Sequence, residues 1–165
     1  MTRYILALDP SGNYNEGKGT TGWALYDTHT SKVVKFGVIK ALKYNRMEDY
    51  WKAHLTLLDD LVGFGYTLVV EDYMLYANRA TDQINSRFET PKLIGVIQYD
   101  CFVRGITIIF QTASSVKLRW PDNILAHKNL IQEREGKYWI LDTKLSDHCK
   151  DAIRHAVHYA TFGNK

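Results

Sequence analysis

Two hydrophobic periods take turns along this chain. Near the N-terminus five apolar residues, Tyr4-Ile5-Leu6-Ala7-Leu8, run straight into Asp9, Pro10 and Gly12. A short continuous apolar run closed by Pro and Gly predicts a strand buried on both faces, here one that ends in a carboxylate. Ser11 to Gly19 is a loop rich in Gly and Asn, and Thr20–Tyr26 and Val33–Ile39 predict two more strands. Connections this short join antiparallel neighbours. From Met47 to Val62 the residues Tyr50, Trp51, Leu55, Leu58, Leu61 and Val62 recur at three- and four-residue spacing, which predicts a helix stopped by Gly63 and Gly65. Thr67–Val70 predicts another fully buried strand, and it too delivers an acid, Glu71.

In the second half, residues from about Thr81 to Val103 predict a long helix, or two meeting near Pro91. Ile106–Phe110 predicts a strand, Thr112–Leu118 one or two helical turns, Asp122–Arg134 a helix opened by Pro121, and Ser146–Thr161 a final helix with Ser146 as its N-cap. This order implies an α/β fold: a mixed five-stranded sheet, its first three strands antiparallel, with helices on both faces. At 165 residues, without repeats, low-complexity tracts or linkers, the chain 1–165 is expected to form one domain.

Composition narrows the setting. Hydrophobic residues at 45% and charged residues at 24% are soluble globular proportions. No apolar run approaches the ~18 residues needed to cross a bilayer, so no membrane is expected. The first residues lack the features of a signal peptide, which makes the cytoplasm the expected location. Cys101 and Cys149 fall in apolar helical patterns and are expected to be buried thiols, not a bridge. The net charge of +3 permits a polyanionic partner. Basic residues recur through the second half, while Glu48, Asp49, Asp59 and Asp60 gather on the first helix. A scattered basic set is weak support for nucleic acid.

The chemistry sits in the acids. If the strands ending in Asp9 and Glu71 are parallel neighbours, the two carboxylates lie side by side, each raising the other's pKa unless a cation sits between them. Helix caps or arginine partners are the alternative use of such acids. On the final helix, Cys149, Ala152, Ile153, Ala156, Val157 and Ala160 form the buried arc and Lys150, Arg154 and His158 the wet one. His148 and Asp151 fall on the boundary, one turn apart on one face. Ala152 and Ala156 would let this helix lie close to the sheet, bringing its first turn to the strand ends. Asp147 reads as a complement to the helix dipole. His155, four residues after Asp151, reads as its pairing partner. Three carboxylates and an imidazole suit Mg²⁺ or Mn²⁺ better than structural zinc. Two such ions roughly 3.5–4 Å apart activate a water and stabilise the leaving oxygen of a phosphodiester.

Five pieces then occur in order: Ile5-Leu6-Ala7-Leu8-Asp9-Pro10, Thr21-Gly22-Trp23-Ala24, Val69-Val70-Glu71, Val116-Lys117, and His148-Cys149-Lys150-Asp151-Ala152. In these the chain resembles the RuvC family of Holliday-junction resolvases, within the ribonuclease H-like fold. The resemblance implies a Mg²⁺-dependent endonuclease, with two ions per site and Mn²⁺ as a substitute, that resolves four-way and other branched DNA. Carried over position by position, it implies Asp9 bridging both ions, Glu71 on one side, and His148 and Asp151 on the other. Lys117 matches a basic position near the scissile phosphate. One of Tyr73, Met74, Leu75 and Tyr76 matches a residue inserted at the junction, and Arg79 and Arg119 are further candidate DNA contacts. Cutting two strands symmetrically requires two sites, hence a homodimer with the Thr81–Val103 region at its interface. The chain departs from the pattern in its expanded Ser11–Thr20 loop, and in Ser11 where Gly commonly follows Asp-Pro. Two other classes remain open at this level. One is a non-catalytic DNA-binding module whose acids only stabilise the fold. The other is an ATP-binding domain of sugar-kinase or actin-like type, which also opens on a strand, an Asp and a Gly/Thr hairpin but normally needs a second domain.

Overall fold

A computed structural model describes residues 2–74 and 87–163. Five strands, β1 (Tyr4–Asp9), β2 (Thr20–Asp27), β3 (Lys32–Lys40), β4 (Tyr66–Glu71) and β5 (Ile108–Gln111), form one sheet in the order β3-β2-β1-β4-β5. The β1/β2 and β2/β3 pairs are antiparallel, and β1/β4 and β4/β5 are parallel. The mixed five-stranded sheet with three antiparallel strands is therefore as expected. Among the described residues the α-helices are α1 (Met47–Leu61), α2 (Glu89–Arg104), α3 (Ala113–Arg119), α4 (Asp122–His127) and α5 (Asp147–Phe162). Leu75, Tyr76, Arg79 and the Thr81–Ser86 part of the expected long helix lie outside the described residues. Pro91 does not interrupt α2, because it sits in the first turn, where its missing N–H has no intrahelical partner to lose. Among the described residues no helix is long and apolar enough to cross a membrane.

Strand alternation divides the core in two. Leu6, Leu8, Leu25, Leu68 and Val70 face α1 and α2, meeting Tyr50, Leu58, Leu93, Ile97 and Cys101. The other face carries smaller residues, Ala7 and Ala24 beside Ile5 and Val69, and receives α5 through Ala152, Ile153, Ala156 and Val157. Small residues on both sides let α5 approach the sheet closely, which is what places its first turn at the strand ends. Cys101 and Cys149 are both buried and free, and the Cys149 thiol donates to the Gly37 carbonyl at 3.0 Å.

The helix expected over Asp122–Arg134 is cut short. It ends at His127 because Asn129 turns left-handed (φ 56°) and the Leu130 N–H folds back to the Leu125 carbonyl at 3.0 Å. Leu130 and Ile131 then plug the α5-side core. Beyond them the chain forms an antiparallel ribbon in place of the expected helix: β6 (Gln132–Arg134), β7 (Lys137–Ile140) and β8 (Thr143–Lys144). Its first turn is Glu135-Gly136, both with positive φ (52° and 70°), as a two-residue hairpin requires.

The expanded loop after β1 is tied down at both ends of its path. The Gly12 N–H donates to Thr90 Oγ at 2.9 Å, Asn15 bonds Glu89 through backbone and side chain, and a Cβ on Gly12 would overlap the Glu89 backbone. On the other side the Tyr50 hydroxyl donates to the Ser11 carbonyl at 2.6 Å, and the Ser11 N–H donates to Thr21 Oγ at 3.1 Å. Beneath them His54 is fully buried, with Nδ1 2.8 Å from the Tyr50 carbonyl and Nε2 2.8 Å from Thr21 Oγ. A carbonyl only accepts, so Nδ1 carries the proton and neutral Nε2 accepts from Thr21. Burial pushes this imidazole down to about 4. A folded value below the unfolded ~6.5 means that the unfolded chain binds the proton first, so stability is lost as pH falls from about 6.5 to about 4. We expect His54→Gln to gain on wild type over that window, by up to about 3 kcal/mol. Parallel melting curves of the two proteins from pH 7 to 4 would refute this.

Candidate metal centre

The parallel register of β1 and β4 decides which groups meet. Leu8 pairs with Val70, so Asp9 and Glu71 leave the sheet together at one edge, and Gln111 lies opposite Glu71 on β5. From the other side, α5 starts at Ser146, whose Oγ accepts the Cys149 N–H at 3.1 Å. Its first turn packs on β2 at Gly22, the residue that pairs with Asp9 across the ladder. A Cβ on Gly22 would overlap the His148 carbonyl and the Cys149 nitrogen, so the Thr-Gly pair is the seat of α5.

Carboxylate oxygens of Asp9, Glu71 and Asp151 consequently all lie within 4.8 Å of one another, with Asp9 and Asp151 buried. The carboxyl of Asp9 is held above its ordinary range, first by burial and then by the charges of Glu71 and Asp151, with the His148 hydrogen bond acting in the opposite sense. His148 is not a fourth member of this group. Its Nδ1 donates to Asp9 Oδ2 at 2.6 Å, a bond that raises its pKa against the cost of burial. Lys117, on α3, reaches Asp151 Oδ2 at 2.9 Å. Burial opposes its charge, but the Asp151 contact and the Glu71 and Asp9 charges hold its pKa above the usual value. The donor set, three carboxylates converging from two strands and a helix, fits a hard divalent cation, whose charge would offset what burial and the two neighbouring acids impose on Asp9.

Three side chains around these acids differ from their sequence reading. His155 does not pair with Asp151. It is fully buried, with Nε2 2.9 Å from Glu71 Oε2 and Nδ1 3.0 Å from Gln111 Oε1, so it braces Glu71. Arg154, assigned to the wet face, binds both Asp151 and Asp122 and donates from Nε to the Trp120 carbonyl at 2.8 Å. Lys150 is buried too, between Asp122 at 2.9 Å and Asp147 at 3.1 Å. Asp122, on α4, draws both cations inward, which no reading of α5 by itself could find.

The remaining candidates are spread out. Tyr73 and Met74 come directly after the Glu71-Asp72 pair. The Tyr73 hydroxyl is buried without a hydrogen-bond partner among the described residues, and Met74 is exposed. Arg119 stacks on Phe162 at 4.9 Å, near the far end of α5 and about 16 Å along that helix from Asp151.

No protein-family model matches this sequence, and no curated protein matches it. Solved structures do match in fold. One, described as T. thermophilus RuvC in complex with Holliday junction substrate, superposes with a TM-score of 0.72 at 14% identity, covering 98% of this chain and 94% of that one. Another, the Thermus thermophilus RuvC structure, gives 0.63 at 13% identity, covering 97% and 94%. The chain thus has the RuvC form of the ribonuclease H-like fold over nearly its whole length.

Proposed function

We propose that this chain is a RuvC-like, Mg²⁺-dependent, structure-selective DNA endonuclease that resolves four-way and related branched junctions by phosphodiester hydrolysis. The observation that carries this reading is the convergence of Asp9, Glu71 and Asp151 at one sheet edge, in a fold shared with a protein described in complex with a Holliday junction. Asp9, Glu71 and Asp151 would hold the ions, with His148 completing the set by turning from Asp9. Bound divalent ions supply an activated water and charge stabilisation for the leaving oxygen. The protein's own groups do the rest. Lys117 offers a cation beside Asp151 to a phosphate, and His155, pinned by Gln111, keeps Glu71 aimed at the centre. The test is a labelled four-way junction beside a linear duplex. Paired nicks near the branch are expected with Mg²⁺ or Mn²⁺ and none with EDTA; equal nicking with EDTA, or none with either ion, defeats the reading.

The same reading calls for two centres per junction, hence a homodimer through α2 and the residues before it. In support, Tyr99, Phe102 and Val103 are 70%, 82% and 64% exposed, at the three- and four-residue spacing of one helical face. Three neighbouring apolar side chains left in water are what a partner surface would cover. Phe102→Glu is expected to convert the dimer into a monomer in light scattering while leaving the melting temperature of the fold within a few degrees. A wild-type protein that is monomeric at ~50 µM removes this part of the proposal.

A further inference from the structure

The β6–β8 ribbon has two chemically different faces. Directly opposed residues share a face. Arg134 opposes Lys137, Gln132 opposes Trp139, and Trp139 opposes Lys144. One face of the ribbon therefore collects Arg134, Lys137, Lys144 and Trp139. The other carries Tyr138 and Ile140, which pack onto the α5-side core. Packing accounts for the second face and leaves the first unexplained. Arg134 is partly engaged, lying over the Trp139 ring at 5.9 Å and 3.8 Å from Asp142. Lys137 and Lys144 are exposed, and neither makes an ion pair among the described residues.

Place matters as much as charge. From β8 the chain passes through Leu145 and Ser146 directly into α5, so the ribbon is joined to the turn that carries His148. Between them lies an open groove of about 620 Å³, lined by Lys137, Tyr138, Lys144, His148 and Lys150 and by one acid, Asp147, which pairs with Lys150, among others. One of these, His148, is bonded to Asp9. The same lining includes the two lysines without ion pairs. Lys150 adds little, being held by Asp122 and Asp147. A groove lined by two available ammonium groups and by a side chain bonded to Asp9 suits an extended polyanion that runs from beside the acidic centre along the ribbon.

We propose that this groove holds the sugar–phosphate backbone of the DNA strand that leaves the acidic centre, with Lys137 and Lys144 each neutralising a phosphate. The proposal rests on the nuclease reading and adds to it a binding element outside the metal centre. Such contacts position the strand and carry no sequence information.

The experiment is fluorescence anisotropy of a labelled four-way junction in EDTA, which permits no metal-dependent cutting, titrated at several salt concentrations. The variants are Lys137→Gln/Lys144→Gln, the charge-reversed Glu pair, and Lys32→Gln at the opposite end of the sheet as control. Each lost phosphate contact should lower the slope of log affinity against log salt by about 0.9, so the Gln pair is expected to flatten it by about 2. At ~100 mM salt the Gln pair is expected to bind about 10-fold more weakly and the Glu pair more weakly still, with Lys32→Gln unchanged. Unchanged melting curves would show that the ribbon is intact. If wild type binds and the Gln pair binds within twofold with the same slope, the groove proposal falls and the nuclease reading stands. A wild-type protein that binds neither junction nor duplex overturns both.

Discussion

Asp9→Asn is expected to bind a four-way junction within about threefold of wild type while cutting it at least ~10³-fold more slowly. That loss corresponds to about 4 kcal/mol of barrier. The reason is where Asp9 sits. It ends the central strand β1, is 7% exposed, and stands between Glu71 on β4 and the His148–Asp151 turn of α5. Asn keeps the shape and can still accept from His148, so the junction-facing surface is unaltered. What disappears is one negative charge at the point where the three acids meet. That charge is disfavoured by the fold itself, since burial and its two acidic neighbours raise the Asp9 pKa. An acid with a raised folded pKa costs stability at every pH above that value. In EDTA the melting temperature of Asp9→Asn is accordingly expected to be no lower than that of wild type. A variant that melts lower in EDTA and still cuts at the wild-type rate would mark Asp9 as a structural acid and remove it from the chemistry.

How much of the fold and the site is legible in the sequence depends on whether the decisive neighbour is local. The two acids at strand ends are legible because a buried strand announces itself by its apolar run, and two such runs with acids at the same end meet if the strands pair in parallel. The close approach of α5 is legible in Ala152 and Ala156. The spacing of His155 from Asp151 suggests a partner on its own helix, whereas β4 and β5 bring Glu71 and Gln111 to it from 84 and 44 residues away. Lys150 and Arg154 mislead for the same reason, as a helical wheel shows nothing of Asp122 on α4. The ribbon does leave a signal. Gly136 ahead of Lys-Tyr-Trp-Ile is a turn residue followed by a strand-forming run, but Gln-Glu-Arg before it favours helix, and Pro121-Asp122 is a good helix start whose pattern runs past the true helix end. The proposed DNA-strand groove is built on that stretch, where local helix signals and the actual chain path disagree most.

Gly22→Ala carries the second large expected effect, and it acts without touching any charged group. Gly22 pairs with Asp9 in the β1/β2 ladder, and the added methyl would overlap the His148 carbonyl carbon and oxygen and the Cys149 nitrogen. All three are backbone atoms of the first turn of α5, so no change of rotamer relieves the clash. Either β2 shifts, disturbing the strand beside β1, or α5 lifts from the layer of Ala7, Ala24, Ala152 and Ala156 that it packs against. Overpacking of this kind costs about 3 kcal/mol. For a chain of this size that lowers the melting temperature by roughly 6–12 °C. Lifting α5 also carries Asp151 and His148 away from Asp9 and Glu71, so divalent-ion binding and cleavage are expected to fall along with stability, although every acid is still present. Gly63→Ala is the control: it lies next to α1 with nothing within 4 Å of its Cβ position, and it is expected to be neutral in both respects. If Gly22→Ala melts and cleaves like wild type, α5 is not seated on β2 as closely as described, and the convergence of Asp151 with Asp9 loses its structural cause.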